Sequence, residues 1–424
     1  MKIMANKNND LPVSLRDVEL AAERLAGVVR RTPLLLSKRL SNLYQAKVYL
    51  KREDVQVVRS YKLRGAYNFI SSLGLDDRKK GVVCASAGNH AQGVAYSCNA
   101  LKIKGYIFMP KNTPKQKIDM VRFFGDGYVE IKIVGDSFDE AAGVAKTFCD
   151  KNKKIFVHPF DDRLVIAGQG TVAQEIYEQL DGKPDYLVVP VGGGGLLSGM
   201  SVYAKERDRG VKVIGAEPAG APSMYQSLKA GRVVTLDHVD KFVDGAAVKK
   251  SGEQTLKIIK KLADQVLLVP EGAVAEEMIS LYQREGVIAE PAGALSVAAL
   301  EQLKTKIKGK TVVCVISGGN NDISRYAEII ERSLVYQGLK HYFIIEFSQR
   351  PGALRQYLDE VLGPNDDITL FEYVKKNNKE NGPALVGLEL ANKDDLKPLL
   401  SRMDKIEMVY QKVDNSSPMA RFLI

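Results

Sequence analysis

From about residue 15 to residue 320, short apolar runs alternate with stretches whose apolar residues recur at helical spacing. Val48–Lys51, Val82–Ala85, Gly105–Met109, Val129–Val134, Tyr186–Val191, Val211–Ala216, Gln265–Val269 and Thr311–Ile316 read as strands. Gly168–Leu180, Ala273–Glu285 and Ala292–Lys306 read as helices that separate several of them. Ser14 and Asp17 have the spacing of a capping-box variant, opening a helix through about Val29. This alternation predicts an α/β architecture with mainly parallel sheets. At this length, two sheet-centred lobes with a cleft between them are expected.

The pattern changes after about residue 335. His341–Phe347, Ile368–Val374, Ala384–Leu390 and Val409–Val413 read as strands. A helix opens within Arg350-Pro351-Gly352-Ala353-Leu354, with proline in its first turn. Gly363–Asp367 is a turn and Lys375–Pro383 a polar loop. Asn392 with Asp395 starts a second helix, through about Met403. The order β-α-β-β-α-β is that of a ferredoxin-like α+β module. It contains no cluster of catalytic residue types. The expected division is 1–325, a linker over 326–337, and the module over 338–424.

Composition changes this picture mainly by exclusion. The net charge is +10, but lysine and arginine are scattered, without the basic stripe of a nucleic-acid binder. A basic surface suits anionic small molecules equally well. No apolar run approaches the roughly 20 residues of a membrane span, and residues 1–13 are polar, so a cytoplasmic chain without a membrane partner is expected. Cys84, Cys98, Cys149 and Cys314 lack metal-ligand spacing, and there are four histidines. Buried free thiols and no metal are expected.

Four segments carry candidate chemistry. In Arg59-Ser60-Tyr61-Lys62-Leu63-Arg64-Gly65-Ala66 a lysine sits at a helix start, where Ser60 can cap, Leu63 and Ala66 can face a core, and Gly65 allows close packing. A lone lysine there is ordinarily solvated. In Cys84-Ala85-Ser86-Ala87-Gly88-Asn89-His90 a strand passes through a small-residue turn into a helix, which exposes N–H groups to an anion or simply makes a tight loop. Gly192-Gly193-Gly194-Gly195-Leu196 joins an apolar strand to a helix, letting backbone N–H groups approach a phosphate. It lacks the Gly-Lys-Ser/Thr of a nucleotide P-loop and the G-x-G-x-x-G of a dinucleotide site. Ser317 ends the strand Thr311–Ile316, before Gly318-Gly319-Asn320. Glu290, just before a helix start, either lines a site or complements the helix dipole.

Together these motifs resemble the serine/threonine dehydratase branch of the fold-type-II pyridoxal-phosphate (PLP) enzymes, over about residues 15–325. Tyr61 stands where the family usually has phenylalanine. The resemblance implies a two-lobed, tryptophan synthase β-like catalytic region. It implies that Lys62 carries the cofactor and moves the proton at the substrate Cα. It assigns Asn89 to the ring hydroxyl, Gly192, Gly193, Gly194, Gly195 and Leu196 to the phosphate, and Ser317 to the ring nitrogen. It assigns Ser86, Ala87, Gly88, Asn89 and His90 to the substrate carboxylate. A neutral serine at the ring nitrogen makes a weaker electron sink than aspartate, favouring β-elimination. Gly215-Ala216-Glu217-Pro218 resembles a metal-binding segment of some relatives, but the later aspartate is missing, so no metal is expected. The tail, with Arg350-Pro351-Gly352-Ala353-Leu354 and Gly363-Pro364-Asn365-Asp366-Asp367, resembles the ACT-like regulatory domain of the branch's biosynthetic members. That implies conversion of L-threonine to 2-oxobutanoate and ammonia for isoleucine synthesis, isoleucine and valine as effectors, and a homotetramer. A catabolic threonine/serine dehydratase and a non-catalytic amino-acid sensor are the alternatives.

Overall fold

The computed structural model describes residues 11–374, 380–414, 417 and 419–423. The chain divides into two compact units, 1–322 and 323–424. The first contains β1 (Leu34–Leu36), β2 (Lys47–Arg52), β3 (Val82–Ala85), β4 (Gly105–Met109), β5 (Val129–Ile133), β6 (Ile155–Phe156), β7 (Tyr186–Pro190), β8 (Lys212–Pro218), β9 (Gln265–Val269) and β10 (Thr311–Ile316). They build a six-stranded sheet, β1-β2-β10-β7-β8-β9, and a four-stranded sheet, β5-β4-β3-β6. Pairing is parallel except between β1 and β2. Each sheet has its own core: Ile166, Leu187, Leu197 and Val313 belong to the larger lobe, Leu63, Ile70, Val82 and Ile107 to the smaller.

All eight expected strands form. Strands β1 and β6 escape the sequence pattern because three and two residues are too few to show a period. The capping box at Ser14 is present, but the helix stops at Leu25 because Gly27 adopts a left-handed φ of +75°. The helix expected from Gly168 begins earlier, at Arg163, where the Asp162 carboxylate caps the N–H groups of Leu164 and Val165. The stretch expected as one helix over Ala292–Lys306 is an α-helix, Pro291–Ala298, followed by a 3₁₀ turn, Ala299–Leu303.

The helix Lys62–Ser71 is held at short range by glycines. A Cβ on Gly65 would lie 2.8 Å from the Val165 carbonyl oxygen, and one on Gly168 would lie 2.6 Å from the Arg64 carbonyl oxygen. From the other side, a Cβ on Gly93 would come within 3.2 Å of the Leu63 backbone. Beneath this helix lies a buried charge network. Arg64 pairs with Glu53 at 2.8 Å and Glu175 at 2.7 Å, while Lys51 Nζ donates to Glu175 at 2.6 Å and to the Thr32 carbonyl at 2.7 Å. Arg64, Lys51 and Glu53 are fully shielded from solvent.

The second unit contains β11 (Lys340–Ser348), β12 (Asp367–Tyr373), β13 (Asn381–Glu389) and β14 (Val409–Lys412) in the antiparallel order β12-β13-β11-β14. With the helices Ala353–Glu360 and Leu396–Lys405 this is the ferredoxin-like arrangement, cored by Phe343, Ile345, Tyr357, Val386 and Leu399. Three local readings change. Residues 326–337, expected as a linker, form the helix Tyr326–Gln337 within this unit, burying Ile329 and Ser333. Pro351 precedes the first helix rather than entering it, because Gly352 takes a left-handed φ of +89°. Of the expected polar loop, residues 375–379 lie outside the described residues and Asn381–Pro383 belong to β13.

Candidate active site

The sequence-predicted site residues converge at the carboxyl ends of parallel strands in the first unit. Lys62 follows β2, Ser86 follows β3, Gly192 follows β7 and Ser317 follows β10. Strand ends of this kind are where open α/β sheets bind ligands. Backbone contacts fix Lys62 against the Ser317 loop: Tyr61 N donates to the Ser317 carbonyl at 3.1 Å, and Gly319 N to the Arg59 carbonyl at 2.9 Å. Arg59 reaches this geometry with a left-handed φ of +55°, and its guanidinium donates to the Gly319 carbonyl.

Lys62 is the first residue of its helix, and Tyr61 occupies the cap position without a side-chain bond. Ser60 therefore does not cap the helix. Its backbone bridges Gly318, and its hydroxyl is buried with no hydrogen-bond partner among the described residues. Lys62 Nζ donates to the Pro159 carbonyl at 3.0 Å. Burial brings the Lys62 amine down from 10.5 to about 8, against the opposing pull of the Glu290 carboxylate.

Asn89 begins the helix Asn89–Leu101 and sits in a polar cluster. Its Nδ2 donates to Glu290 Oε1 at 2.7 Å, and its Oδ1 accepts from Asn320 Nδ2 at 2.7 Å. Glu290 is buried, and desolvation reinforced by Asp244 raises its carboxyl to about 7. The Glu290 side chain also packs on the Ser317 loop, since a Cβ on Gly318 would meet Oε1 at 2.4 Å. Glu290 therefore packs among the candidate site residues as well as preceding a helix. Ser86 to Asn89 are partly accessible, whereas His90 turns its ring inward to the Val157 carbonyl at 2.9 Å. Burial drives His90 down to about 3, so its ring is neutral at ordinary pH. Ser317 is buried and its Oγ donates to the Ala292 carbonyl at 3.2 Å, a long bond that rotation of the hydroxyl can exchange for another acceptor.

The glycine loop tolerates no side chain. A Cβ would lie 2.8 Å from the Ala246 carbonyl oxygen at Gly192, 2.3 Å from the Phe160 ring at Gly193, and 2.6 Å from Met224 at Gly194. Gly194 has a φ of +93° and leads into the helix Gly195–Arg207, whose first turn presents unpaired N–H groups. Pro159, Phe160 and Asn320 are contacts that motif reading did not supply. The nearby cap residue Asp162, which opens the helix Arg163–Gln179, is a local signal that the reading of a helix from Gly168 did not use. Glu217 has both carboxylate oxygens engaged by the N–H groups of Met224 and Tyr225, and burial raises it to about 8.

The chain matches the family described as pyridoxal-phosphate dependent enzyme over residues 25–318, and the C-terminal regulatory domain of threonine dehydratase over residues 331–423. It is 55% identical over 418 residues to the biosynthetic L-threonine dehydratase of Bacillus subtilis, covering 99% of each chain. This chain belongs to the biosynthetic threonine dehydratase family of PLP-dependent enzymes. The Mycobacterium leprae biosynthetic dehydratase is 54% identical, with 97% of each chain covered. Among solved structures, the processed form of threonine deaminase isoform 2 from Solanum lycopersicum is 39% identical at a TM-score of 0.72, covering 75% of this chain and 93% of that one. A serine racemase from Dictyostelium discoideum is 34% identical at a TM-score of 0.68, covering 74% and 100%. The PLP-dependent dehydratase fold is therefore shared, and the site's donor set fits the cofactor. A buried lysine amine with a depressed pKa suits its aldehyde, and a Cβ-free cradle at a helix N-terminus suits its phosphate.

Proposed function

We propose that Lys62 carries PLP and transfers the Cα proton in the conversion of L-threonine to 2-oxobutanoate and ammonia. The reaction class follows from family membership: the enzyme is a PLP-dependent threonine ammonia-lyase serving isoleucine biosynthesis. The observation that supports the residue assignment is the anchoring of the Lys62 amine on the Pro159 carbonyl, next to the Phe160 that packs on the glycine loop, while the adjacent Tyr61 backbone is bonded to Ser317. When bound, PLP supplies an aldehyde that links amines and a conjugated ring that accepts the electron pair left at Cα.

Each group then has a task. The amides of Gly192 to Leu196 would hold the phosphate, and Asn89, oriented by Glu290 and Asn320, would offer its carboxamide to the ring hydroxyl. Ser317 would give the ring nitrogen a neutral partner, which would discourage a persistent negative charge at Cα and favour loss of the β-hydroxyl. The backbone from Ser86 to His90 receives the substrate carboxylate. Lys62, as a free base, would take the Cα proton. The β-hydroxyl would leave as water with the proton that Lys62 took from Cα, and water added at Cα would then release ammonia and leave 2-oxobutanoate.

The lowered pKa has a measurable consequence. Lys62 joins the cofactor aldehyde only as the neutral amine, so attachment to the cofactor-free chain gains about tenfold per pH unit below about 8 and levels above it. Growth of the cofactor's visible absorbance after mixing, followed from pH ~6 to ~9, reads this directly. A rate still climbing tenfold per unit past pH ~9.5, as for a solvated lysine, contradicts the assignment.

The C-terminal unit is proposed to bind isoleucine as feedback inhibitor and valine as its antagonist, as the family resemblance supports. A cytoplasmic homotetramer is proposed on the same ground. Among the described residues, no helix is long and apolar enough to cross a membrane. Production of 2-oxobutanoate from L-threonine should fall with isoleucine and recover with added valine. Activity indifferent to both refutes the regulatory reading and leaves the catalytic one standing.

A further inference from the structure

The segment from His158 to Asp162 joins parts of the site that are far apart in sequence. Pro159 accepts the Lys62 amine at 3.0 Å. Next to it, Phe160 forms the floor of the glycine loop, with its ring where a Gly193 Cβ would fall and its carbonyl oxygen 3.0 Å from a Gly195 Cβ. Asp161 then reaches the helix Glu253–Leu262, whose own cap residue, Gly252, has no side chain to offer. Asp161 Oδ2 accepts from Glu253 N at 2.9 Å, and Oδ1 accepts from Gln254 N at 2.9 Å and Thr255 N at 3.1 Å. A helix start is thus capped by a carboxylate 92 residues earlier. His158 closes the segment on itself, its Nδ1 accepting from Asp161 N at 2.8 Å and Phe160 N at 3.3 Å. Burial keeps His158 down at about 4, so Nδ1 remains an acceptor at neutral pH.

The capped helix in turn grips the glycine loop. Thr255 is fully buried, and its hydroxyl donates to the Gly193 carbonyl at 2.7 Å. A trans peptide points its N–H opposite to its C=O. Holding the Gly193 carbonyl against Thr255 therefore aims the Gly194 N–H away from that helix. The Gly252 N–H, from the same helix start, adds only a longer bond of 3.4 Å to this carbonyl, so without Thr255 the glycine peptide is held far more loosely.

We propose that Asp161 and Thr255 are positioning residues for the cofactor phosphate: Asp161 caps the helix, Thr255 locks the Gly193 peptide, and the segment ties that loop to the anchor of the Lys62 amine. This rests on the reading that Gly192 to Leu196 hold the phosphate. Neither residue is required to touch cofactor or substrate.

The test measures PLP affinity of the full chain after cofactor removal, by quenching of protein tyrosine fluorescence, for Asp161→Ala, Asp161→Asn, Thr255→Val and Gly193→Ala. Asp161→Ala and Thr255→Val should each weaken PLP binding about tenfold, with the threonine KM at saturating PLP unchanged. Asp161→Asn keeps one acceptor oxygen and should recover part of the loss. Thermal unfolding of the cofactor-free variants separates positioning from mere support: a lowered midpoint with affinity within about twofold of the parent overturns the proposal. Should Asp161→Ala not fold, Thr255→Val, nearly isosteric, decides alone. If Gly193→Ala loses affinity while the other variants keep it, the inference fails and the phosphate reading stands. If Gly193→Ala also binds PLP normally, the phosphate reading itself falls.

Discussion

Lys62→Ala is expected to lower threonine turnover by roughly a hundred- to ten-thousand-fold from the lost proton transfer alone, and further from loss of the cofactor link. The protein should still fold. Lys62 opens its helix rather than filling a core, and alanine is the best helix former. The hydrogen bond given up, to the Pro159 carbonyl, involves an amine whose charged form burial already disfavours. Assay of 2-oxobutanoate, with circular dichroism on the same sample, separates a dead site from an unfolded chain. Near-parental turnover in a folded Lys62→Ala protein would remove Lys62 from the mechanism.

Arg64→Met is expected to cost about 3–5 kcal/mol of stability, the range for removing one partner of a buried ion pair. Methionine keeps most of the volume but leaves Glu53 unpaired and removes one of the two cations serving Glu175. Arg64 and Lys51 hold the Glu53 carboxyl below its ordinary 4.5, against the cost of burial. Its contribution is thus complete above about pH 4.5 and lost as the pH falls through the lowered native value. Urea unfolding of the cofactor-free chain reads the effect, and adding Glu53→Gln should return part of the loss because the stranded charge is gone. A loss under about 1 kcal/mol would mean that the network relaxes or is hydrated. Because Arg64 lies two residues from Lys62 on the same helix, the variant should also weaken the site.

The elements and the motifs at their ends were legible because local chain constraints write them. Apolar runs such as Val82–Ala85 and Thr311–Ile316 become buried strands, and a glycine run after one of them can only be a loop or a close approach. Where local rules compete, reading slipped. Ser60 has a capping residue's chemistry, yet its pairing with Gly318 takes the chain away from that role. His90 lies within the substrate-loop motif, yet its ring is spent on Val157.

By itself, the sequence determined the α/β alternation and the ferredoxin-like tail, and through its family resemblance it singled out Lys62, Asn89, the glycine run and Ser317 as candidates for a PLP site. Only the tertiary structure decided the setting in which they work. The Pro159 anchor of the Lys62 amine, the raised Glu290 carboxyl beside Asn89, the burial of Arg64 and the cap that Asp161 lends to a distant helix all appear there. Each depends on contacts between residues far apart along the chain and on exclusion of water, and neither quantity is encoded in a local pattern of apolar and polar positions.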